Sequence, residues 1–254
     1  MSAQEKVYAA DSSLRGKFIR RWARVRHVKP LPRAPERPMI SFSFDDTPLT
    51  AATTGAQILE SRGLRGTYYV SAGLAGTEAP MGVCAERDDY LRLAEDGHEI
   101  ACHTYSHLDC GRATAETAAA DVEKNLATFA DWGLPPPESF AYPYGDVSTG
   151  PKGALAPSFT NLRGLHHGLI GQGSDMNQAP AVGIEGPDGE AAAWRWLAEA
   201  ERRRSWLILY THDVRESPSP WGCTPHAFAA LIDAALGAGF EALTVGQAAR
   251  KLGL

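Results

Sequence analysis

The stretch Met39-Ile-Ser-Phe-Ser-Phe-Asp-Asp-Thr47 is an apolar run that ends abruptly in two adjacent carboxylates. A short apolar run of this kind is typical of a buried strand. A second apolar run leads into His103 and His107, which are separated by three residues. One carboxylate and two imidazoles suit a divalent metal ion and leave room for water. Because the carboxyl ends of strands line the active face of α/β proteins, we predict that these residues meet in one metal site.

The rest of the chain alternates apolar runs with segments of helical periodicity. Strands are predicted at 38–44, 67–70, 98–102, 139–142, near 162–165, and at 206–210 and 241–244. Helices are predicted at 53–62, 88–96, 114–132, 191–204, 224–238 and 245–252. Thr114 can cap the longest helix, and Gly133 ends it. Strands that alternate with helices indicate a mainly parallel α/β sheet, either open or closed into a barrel.

Length and composition fit one globular domain with a substantial core, since the chain has 254 residues, 44% of them hydrophobic and 22% charged. The net charge of -5 disfavours a nucleic-acid binder. No apolar run approaches the roughly 18 residues needed to cross a bilayer, so no transmembrane segment is predicted. The four cysteines form no Cys-x-x-Cys pair, which fits a reducing compartment. With no recognisable secretory signal, we expect a cytoplasmic protein.

Residues 1–37 form a basic arm that ends in a proline-rich linker, and residues 38–254 are predicted to form the functional domain. The basic residues of the arm are Arg15, Lys17, Arg20, Arg21, Arg24, Arg26, Lys29, Arg33 and Arg37. We interpret the arm as a solvated or partly helical segment packed on the domain, with docking to an anionic surface as the alternative.

Four predicted strand ends carry polar motifs: Ser43-Phe-Asp-Asp-Thr47, His103-Thr-Tyr-Ser-His107, Tyr142-Pro-Tyr-Gly145 and Leu209-Tyr-Thr-His-Asp213. Together these motifs resemble those of the NodB-like polysaccharide deacetylases, carbohydrate esterase family 4. Ser43-Phe-Asp-Asp-Thr47 is similar to the first family motif, Thr-Phe-Asp-Asp-Gly, with Ser in place of Thr and Thr in place of Gly. His103-Thr-Tyr-Ser-His107 matches the second motif, His-(Ser/Thr)-x-x-His. Tyr142-Pro-Tyr-Gly145 matches the aromatic-Pro-aromatic-Gly turn, and Leu209-Tyr-Thr-His-Asp213 matches a hydrophobic strand that ends in His-Asp.

The resemblance implies a distorted (β/α)7-type barrel with mainly parallel strands in a single domain. It also implies metal-dependent removal of N-acetyl groups from a polysaccharide or oligosaccharide that contains amino sugars. Asp46, His103 and His107 would hold a divalent metal, usually zinc. Asp45 would take a proton from water as the base, and His212 would protonate the departing amine.

Further residues are expected to surround the substrate. The backbone N–H of Tyr144, which follows Pro143 in the third motif, would stabilise the oxyanion. Trp221, in the loop after His212, is a candidate for stacking on a sugar ring. The other aromatic residues Tyr68, Tyr69, Trp194, Trp196 and Trp206 are expected in the core.

The chain departs from the family pattern at two points, and other residues are needed to take the roles of the missing ones. The third motif of the family often carries an arginine that pairs with the base, but Ser139, Phe140 and Ala141 precede Tyr142 here. Arg163, at a predicted strand end, is a candidate to pair with Asp45 instead. The fourth motif, Asp-x-x-Asp-Trp, is absent from the sequence, and Asp175 is a candidate to orient His212. Both candidates rest on order along the chain.

Two residues close to the motifs are predicted to be structural. His98 lies at the start of its strand, away from the expected rim. Cys102 would point to the opposite side of the strand from His103 and is therefore expected to be packed rather than ligating.

Isolated motifs of these kinds carry little weight, because a single Asp-Asp is usually a turn or a helix cap. Their joint occurrence favours a hydrolase acting on an N-acetylated glycan. A hydrolase of a small cyclic amide or imide, with the same site, is the alternative enzyme. A glycan-binding relative without turnover is the third reading, and the oligomeric state is left open. The absence of His-Glu-x-x-His and of a phosphate-binding loop disfavours a metallopeptidase and a nucleotide-binding protein.

Overall fold

The computed structural model describes residues 13–186 and 188–254. The strands are β1 (Met39–Asp45), β2 (Thr67–Val70), β3 (Glu78–Ala79), β4 (Gly82–Val83), β5 (Glu99–Cys102), β6 (Ser139–Ala141), β7 (Asn161–Arg163), β8 (Val182–Gly183), β9 (Trp206–Thr211) and β10 (Glu241–Ala242). The helices are α1 (Leu14–Ala23), α2 (Ala56–Glu60), α3 (Arg87–Glu95), α4 (Ala115–Trp132), α5 (Thr149–Leu155), α6 (Gly189–Arg203), α7 (Pro225–Gly237) and α8 (Val245–Lys251).

The main sheet is parallel and has β1 near its centre. Its strand order is β7-β6-β5-β2-β1-β9-β8, and β10 pairs with the first residues of β1. Every residue of β1 is buried, as expected for a strand covered on both faces. Strands β3 and β4 pair antiparallel in a separate small hairpin.

The segment between β7 and β8 connects the two ends of the sheet. The backbone N–H of Leu162 donates to the carbonyl of Met176 at 2.7 Å, and that of Gly164 donates to Ala179 at 2.9 Å. Three residues beyond Ala179, β8 pairs in parallel with β9. The sheet therefore curls into a barrel with helices outside it, which confirms the predicted distorted (β/α)7-type, single-domain fold.

The longest helix forms where the sequence predicts it. The Thr114 hydroxyl accepts a hydrogen bond from the backbone N–H of Thr117, and Gly133 ends α4 in the left-handed conformation. The helix predicted at 53–62 begins earlier, with a π-helical turn at Ala51–Gly55 that continues into α2. A Cβ atom on Gly55 would lie 2.9 Å from the Phe44 ring, so this turn packs directly on β1.

The described part of the basic arm packs on the domain. Ala23 is buried, and its carbonyl accepts a hydrogen bond from the Lys152 ammonium at 2.8 Å. Further along, Leu31 donates to the Ser174 carbonyl, and Met176 donates to the Lys29 carbonyl. Residues 1–12 lie outside the described part, and the domain boundary at residue 38 stays a prediction. Within the described residues, no helix is both long enough and apolar enough to cross a membrane.

Candidate metal centre

The register of the parallel strands brings the predicted site residues to one edge of the sheet. Asp45 lies beside Tyr69 of β2, and Phe44 lies beside Thr211 of β9. Val70 in turn pairs with Cys102, the last residue of β5. The side chains that follow these strands, Asp46, His103 and His212, therefore leave the sheet at the same end.

Asp46, His103 and His107 form one cluster. A ligand atom from each lies within 4.8 Å of those from the other two. The Asp46 Oδ1 atom is 3.7 Å from His103 Nε2 and 3.4 Å from His107 Nε2. The cluster therefore has the predicted composition and enough proximity to share one ion.

Three observations fit this cluster to a divalent ion. The Asp46 Oδ1 atom is buried without a hydrogen-bond partner, which is costly unless something else binds it. His103 Nδ1 lies 2.8 Å from the carbonyl oxygen of Ala141, and this bond leaves Nε2 as the ligand atom. Burial, followed by the effect of His107, lowers the pKa of His103 to about 4 even though Asp46 raises it. The ring is therefore neutral, as a metal ligand must be.

The loop that carries His107 is held by Asp121 of α4, a residue outside the motifs. Asp121 of α4 accepts hydrogen bonds from the backbone N–H groups of Tyr105 and Ser106 at 2.7 and 3.0 Å. The Thr104 hydroxyl accepts a further bond from Leu108 at 2.8 Å. These bonds hold the loop between His103 and His107 against α4.

Left-handed backbone conformations concentrate around the cluster. Of the seven non-glycine residues with positive φ in the described part of the chain, five lie in the motifs: Asp46 (φ 56°), Thr47 (φ 44°), Thr104 (φ 63°), His107 (φ 56°) and Tyr144 (φ 59°). This conformation is unfavourable for a β-branched residue such as Thr47. The first family motif has Gly at this position, so the left-handed φ explains the Gly in the motif and makes Thr47 strained.

The base candidate Asp45 is paired with Arg163, as predicted from order along the chain. The Arg163 Nη2 atom donates to both carboxylate oxygens of Asp45, at 2.6 and 2.7 Å. Arg163 reaches this position because β7 pairs with β6, with Arg163 beside Ala141. The arginine missing from the third motif is thus supplied by the neighbouring strand.

The electrostatics of Asp45 follow from this pair. Burial alone would raise the pKa of Asp45, but the positive charge of Arg163, with the electrostatic effects of His103 and His212 and the hydrogen bonds from Arg163, outweighs it and holds the pKa below its ordinary value. The guanidinium lies over the rings of Tyr69 and Tyr210, at 4.8 and 5.2 Å from the ring centroids. Asp45 is therefore an ionised carboxylate in a nearly closed environment.

Glu185, not Asp175, lies against His212. The His212 Nδ1 atom is 3.0 Å from Glu185 Oε2 and 3.2 Å from the carbonyl oxygen of Trp221. The prediction for Asp175 was therefore wrong. That carboxylate binds the buried Lys152 ammonium at 2.5 Å and the backbone N–H of Lys29 at 3.0 Å, so it belongs to the contact with the basic arm.

Glu185 changes the charge of the acid candidate. Burial lowers the pKa of His212, but the hydrogen bond and the charge of Glu185, with Asp45 and Asp46, raise it to about 9. The His212 Nε2 atom lies 4.0 Å from Asp46 Oδ2 and so faces the cluster. The ring is cationic at neutral pH and has a proton directed toward the site.

Sequence reasoning missed Glu185 because the strand that carries it is very short. Strand β8 has only two residues, and Gly183 pairs with Tyr210 of β9. Glu185 follows Gly183 by two residues and His212 follows Tyr210 by two residues, so this register places Glu185 beside His212. Asp213, adjacent to His212 in the motif, is instead fully buried and accepts the backbone N–H of Ser219 at 2.9 Å.

The predicted substrate residues lie around this cluster. The ring centroid of Tyr144 is 4.5 Å from that of His107, and the side chain is 41% exposed. Pro143, the preceding residue, is buried. The Trp221 carbonyl accepts the backbone N–H of His212 at 3.0 Å, so Trp221 borders the acid candidate. The catalytic, oxyanion and stacking roles of these residues stay predictions.

The residues assigned to structural roles lie as expected, with one exception. His98 Nδ1 accepts the backbone N–H of Gly66, and its Nε2 atom contacts Glu60. Cys102 is buried, and its sulfur accepts a hydrogen bond from the Asn125 side chain. Tyr68, Tyr69 and Trp206 are fully buried, and Trp196 is partly buried against the core. Trp194 is 37% exposed on α6, so its placement in the core was wrong.

A mainly parallel α/β barrel with a candidate divalent-metal site at the carboxyl ends of its strands is thus the class of protein that the fold and the cluster define. Comparison with known proteins finds similar proteins of one family. Residues 33–155 match the sequence model of the family described as polysaccharide deacetylase. The chain is also 24% identical over 216 residues to a chitin deacetylase of Colletotrichum lindemuthianum, an alignment that covers 82% of this chain and 78% of the relative.

Solved structures share the fold. The chitin deacetylase from the fungal pathogen Colletotrichum lindemuthianum superimposes with a TM-score of 0.62 at 18% identity, over 86% of this chain and 90% of that one. A family 4 acetyl xylan esterase from Clostridium thermocellum, solved with a cobalt ion, gives a TM-score of 0.57 at 18% identity, over 82% and 89% of the two chains. Residues 33–155 thus match the polysaccharide deacetylase family and the solved structures share the fold, which agrees with the family that the motifs predict.

Proposed function

We propose that this protein is a metal-dependent hydrolase that removes N-acetyl groups from a polysaccharide or oligosaccharide containing amino sugars. The observation that carries the proposal is the cluster of Asp46, His103 and His107 beside an ionised carboxylate, Asp45, and a cationic imidazole, His212. A base and an acid next to a metal site are what hydrolysis of an amide requires.

Zinc is the ion that we assign to the cluster, since one carboxylate and two imidazoles form a ligand set that zinc accepts with positions left for water. A bound divalent ion would supply polarisation of the amide carbonyl and a lower pKa for water at the site. His103 is held for this role by the Ala141 carbonyl on its other ring nitrogen.

Asp45 and His212 divide the proton transfers between them. Asp45 takes the proton from the attacking water, and Arg163 keeps this carboxylate ionised and in place. His212 gives its proton to the amide nitrogen as the C–N bond breaks, which leaves acetate and a free amine. Glu185 is a positioning residue, because its bond to Nδ1 keeps Nε2 of His212 directed at the site.

The open side of the cluster provides the contacts for a glycan. The backbone N–H of Tyr144 donates to the oxyanion that forms at the carbonyl. The Tyr144 ring and Trp221 provide the aromatic surfaces on which a pyranose ring stacks. The name of the aligned relative, chitin deacetylase, supports a substrate made of N-acetylated amino sugars.

The decisive experiment combines metal analysis with release of acetate from chitooligosaccharides and from peptidoglycan fragments. We expect the wild type to bind about one metal ion per chain and to release acetate. His103→Ala should lose the metal and the activity together. Asp45→Asn should keep the metal and lose turnover by about 10²–10⁴-fold, the contribution typical of a general base.

His226→Ala is the matched control, since His226 is an exposed histidine at the start of α7 that belongs to none of the motifs. It should keep both metal and activity. Full metal occupancy in His103→Ala would contradict the ligand assignment, and unchanged turnover in Asp45→Asn would contradict the base assignment. Ring opening of cyclic amides without acetate release from any glycan would contradict the substrate class.

A further inference from the structure

Helix α1 exposes a row of apolar side chains that the catalytic proposal does not use. Phe18, Trp22 and Val25 are 65%, 47% and 62% exposed, and we call them the aromatic face of α1. The rings of Phe18 and Trp22 are stacked, with centroids 6.1 Å apart and planes 9° from parallel. A spacing of four and then three residues places all three on the same side of the helix and the turn that follows it.

Positive charge surrounds the aromatic face. Arg21, Arg24 and Arg26 are exposed, and the Arg26 guanidinium lies 5.7 Å from the centroid of the Trp22 ring. None of the salt bridges recorded within the described ranges engages these three arginines. Residues 13–37 hold nine arginines and lysines against one acidic residue, Glu36, although the whole chain has a net charge of -5. The positive charge is therefore concentrated at the arm.

The opposite side of α1 is fixed to the domain. Gly16 and Ala23 are buried, and the Lys152 ammonium binds the Ala23 carbonyl at the end of the helix. Arg20 reaches the Asp146 carboxylate at 3.7 Å. The aromatic face is consequently held outward by a helix that is attached on its other side.

We propose that the aromatic face of α1 docks the protein on a membrane surface rich in anionic phospholipids. A short helix with aromatic side chains on one face and arginines beside them is suited to the boundary between headgroups and acyl chains. Phe18 and Trp22 enter this boundary, while Arg21, Arg24 and Arg26 bind the phosphate groups. Because Arg20 contacts Asp146, two residues beyond Tyr144, the docked helix lies next to a loop of the candidate site.

Two other occupants fit the surface less well. A second copy of the chain would cover the apolar side chains but would bring two arginine-rich α1 helices together, which is repulsive. A long nucleic acid would bind the arginines but would leave the three exposed apolar side chains without a partner.

Co-sedimentation of the full chain with lipid vesicles tests the proposal without any substrate. One set of vesicles contains phosphatidylcholine alone, and the other contains phosphatidylcholine with phosphatidylglycerol. We expect binding to the anionic vesicles to be at least about tenfold tighter and to weaken as salt is raised. The double variants Phe18→Ser/Trp22→Ser and Arg21→Glu/Arg26→Glu should each weaken it by about tenfold or more.

Trp194→Ser/Arg202→Glu is the matched control, because it removes an exposed tryptophan and an exposed arginine from α6 instead. It should bind as the wild type does, and all variants should keep the same unfolding temperature. The proposal is overturned if the wild type does not sediment with anionic vesicles, or if the control loses as much binding as the α1 variants. Concentration-dependent dimerisation that Phe18→Ser/Trp22→Ser abolishes, or tighter binding to duplex DNA than to vesicles, would overturn it as well.

The two proposals fail separately. Acetate release from a soluble oligosaccharide does not need a membrane, so the α1 variants should retain it. Loss of vesicle binding with full acetate release supports a docking role for α1, whereas Asp45→Asn should bind vesicles normally.

Discussion

The Asp45–Arg163 pair at the carboxyl end of the sheet and the Asp175–Lys152 pair beneath the basic arm have similar chemistry but different surroundings. Each joins an aspartate to a cation whose side chain is fully buried. Asp175 also accepts the backbone N–H groups of Lys29 and Asn177, and Lys152 also donates to the Ala23 carbonyl. The partners of this pair come from the arm, α5 and the segment that closes the barrel.

The pair at the rim has fewer hydrogen bonds. The Arg163 Nε and Nη1 atoms are buried without a hydrogen-bond partner, and aromatic rings lie against the guanidinium instead. A buried polar group left without partners is costly, and folds tolerate that cost mainly at functional sites. The comparison teaches that the number of satisfied partners, rather than burial or charge, separates the pair that serves chemistry from the pair that holds the fold.

The largest expected effect comes from breaking the rim pair with Arg163→Met. Without the cation, burial is left to raise the pKa of Asp45, whereas in the wild type that pKa is lowered. Since the base acts when ionised, the acid limb of the pH profile of kcat/KM should move to higher pH. We expect kcat/KM near neutrality to fall by about 10²-fold or more, measured by acetate release.

Arg62→Met provides the control for this experiment, because Arg62 binds Asp233 on the surface with two hydrogen bonds. It removes an arginine–aspartate pair of good geometry outside the site. Its pH profile should match the wild type, and an equal shift in both variants would mean that the limb does not report Asp45.

Breaking the other pair with Lys152→Met should instead affect stability. It leaves the Asp175 charge without its cation and removes the bond to the Ala23 carbonyl. We expect the free energy of unfolding to fall by about 3–5 kcal/mol, the typical cost of removing one partner of a buried pair. Denaturant unfolding measures this loss. If the acid limb of the pH profile of kcat/KM shifted in Lys152→Met as it does in Arg163→Met, the two pairs would not have separate roles in stability and catalysis.

The smallest effect is expected from Glu185→Gln, which keeps the shape but removes the charge beside His212. Burial lowers the pKa of His212, and without the Glu185 charge this effect is opposed less strongly. The pKa should therefore fall from its raised value of about 9. Because the acid acts when protonated, activity is lost as pH rises through this pKa. The alkaline limb of kcat/KM should therefore move down by about one to two pH units.

Asp175→Asn is the informative partner of that variant, since Asp175 was expected from the sequence to orient His212. With Asp175 placed against Lys152, the alkaline limb of this variant should match the wild type. A shift in Asp175→Asn and none in Glu185→Gln would reverse the assignment that the geometry supports.

Much of the candidate site could be predicted because its residues directly follow regular strands. Asp45 and Asp46 end an apolar run, and His103 and His212 do the same on their strands. In a parallel sheet, all such ends meet at one edge. Arg163 was predicted for the same reason, although its partner Asp45 is distant in the sequence.

The part that could not be predicted lies in the irregular segment between residues 150 and 189. Its chemistry is set by isolated backbone pairings, such as Arg163 with Ala179, and by a strand of two residues. Neither leaves a periodic signal in the sequence, so order along the chain favoured Asp175 over Glu185 as the partner of His212. The register of β8 against β9 places Glu185 there instead, and this register depends on the folded structure.

The left-handed residues around the cluster limit which stabilising substitutions the site can accept. The left-handed backbone at Thr47 disfavours a β-branched residue, so replacing Thr47 by glycine would remove strain from this turn. Because the family motif has glycine at this position, the exchange should leave Asp46 in place. A screen for heat-resistant variants should therefore find harmless gains at Thr47 and on the outer helices, and lose turnover at the turns of Asp46 and His107, the candidate ligands.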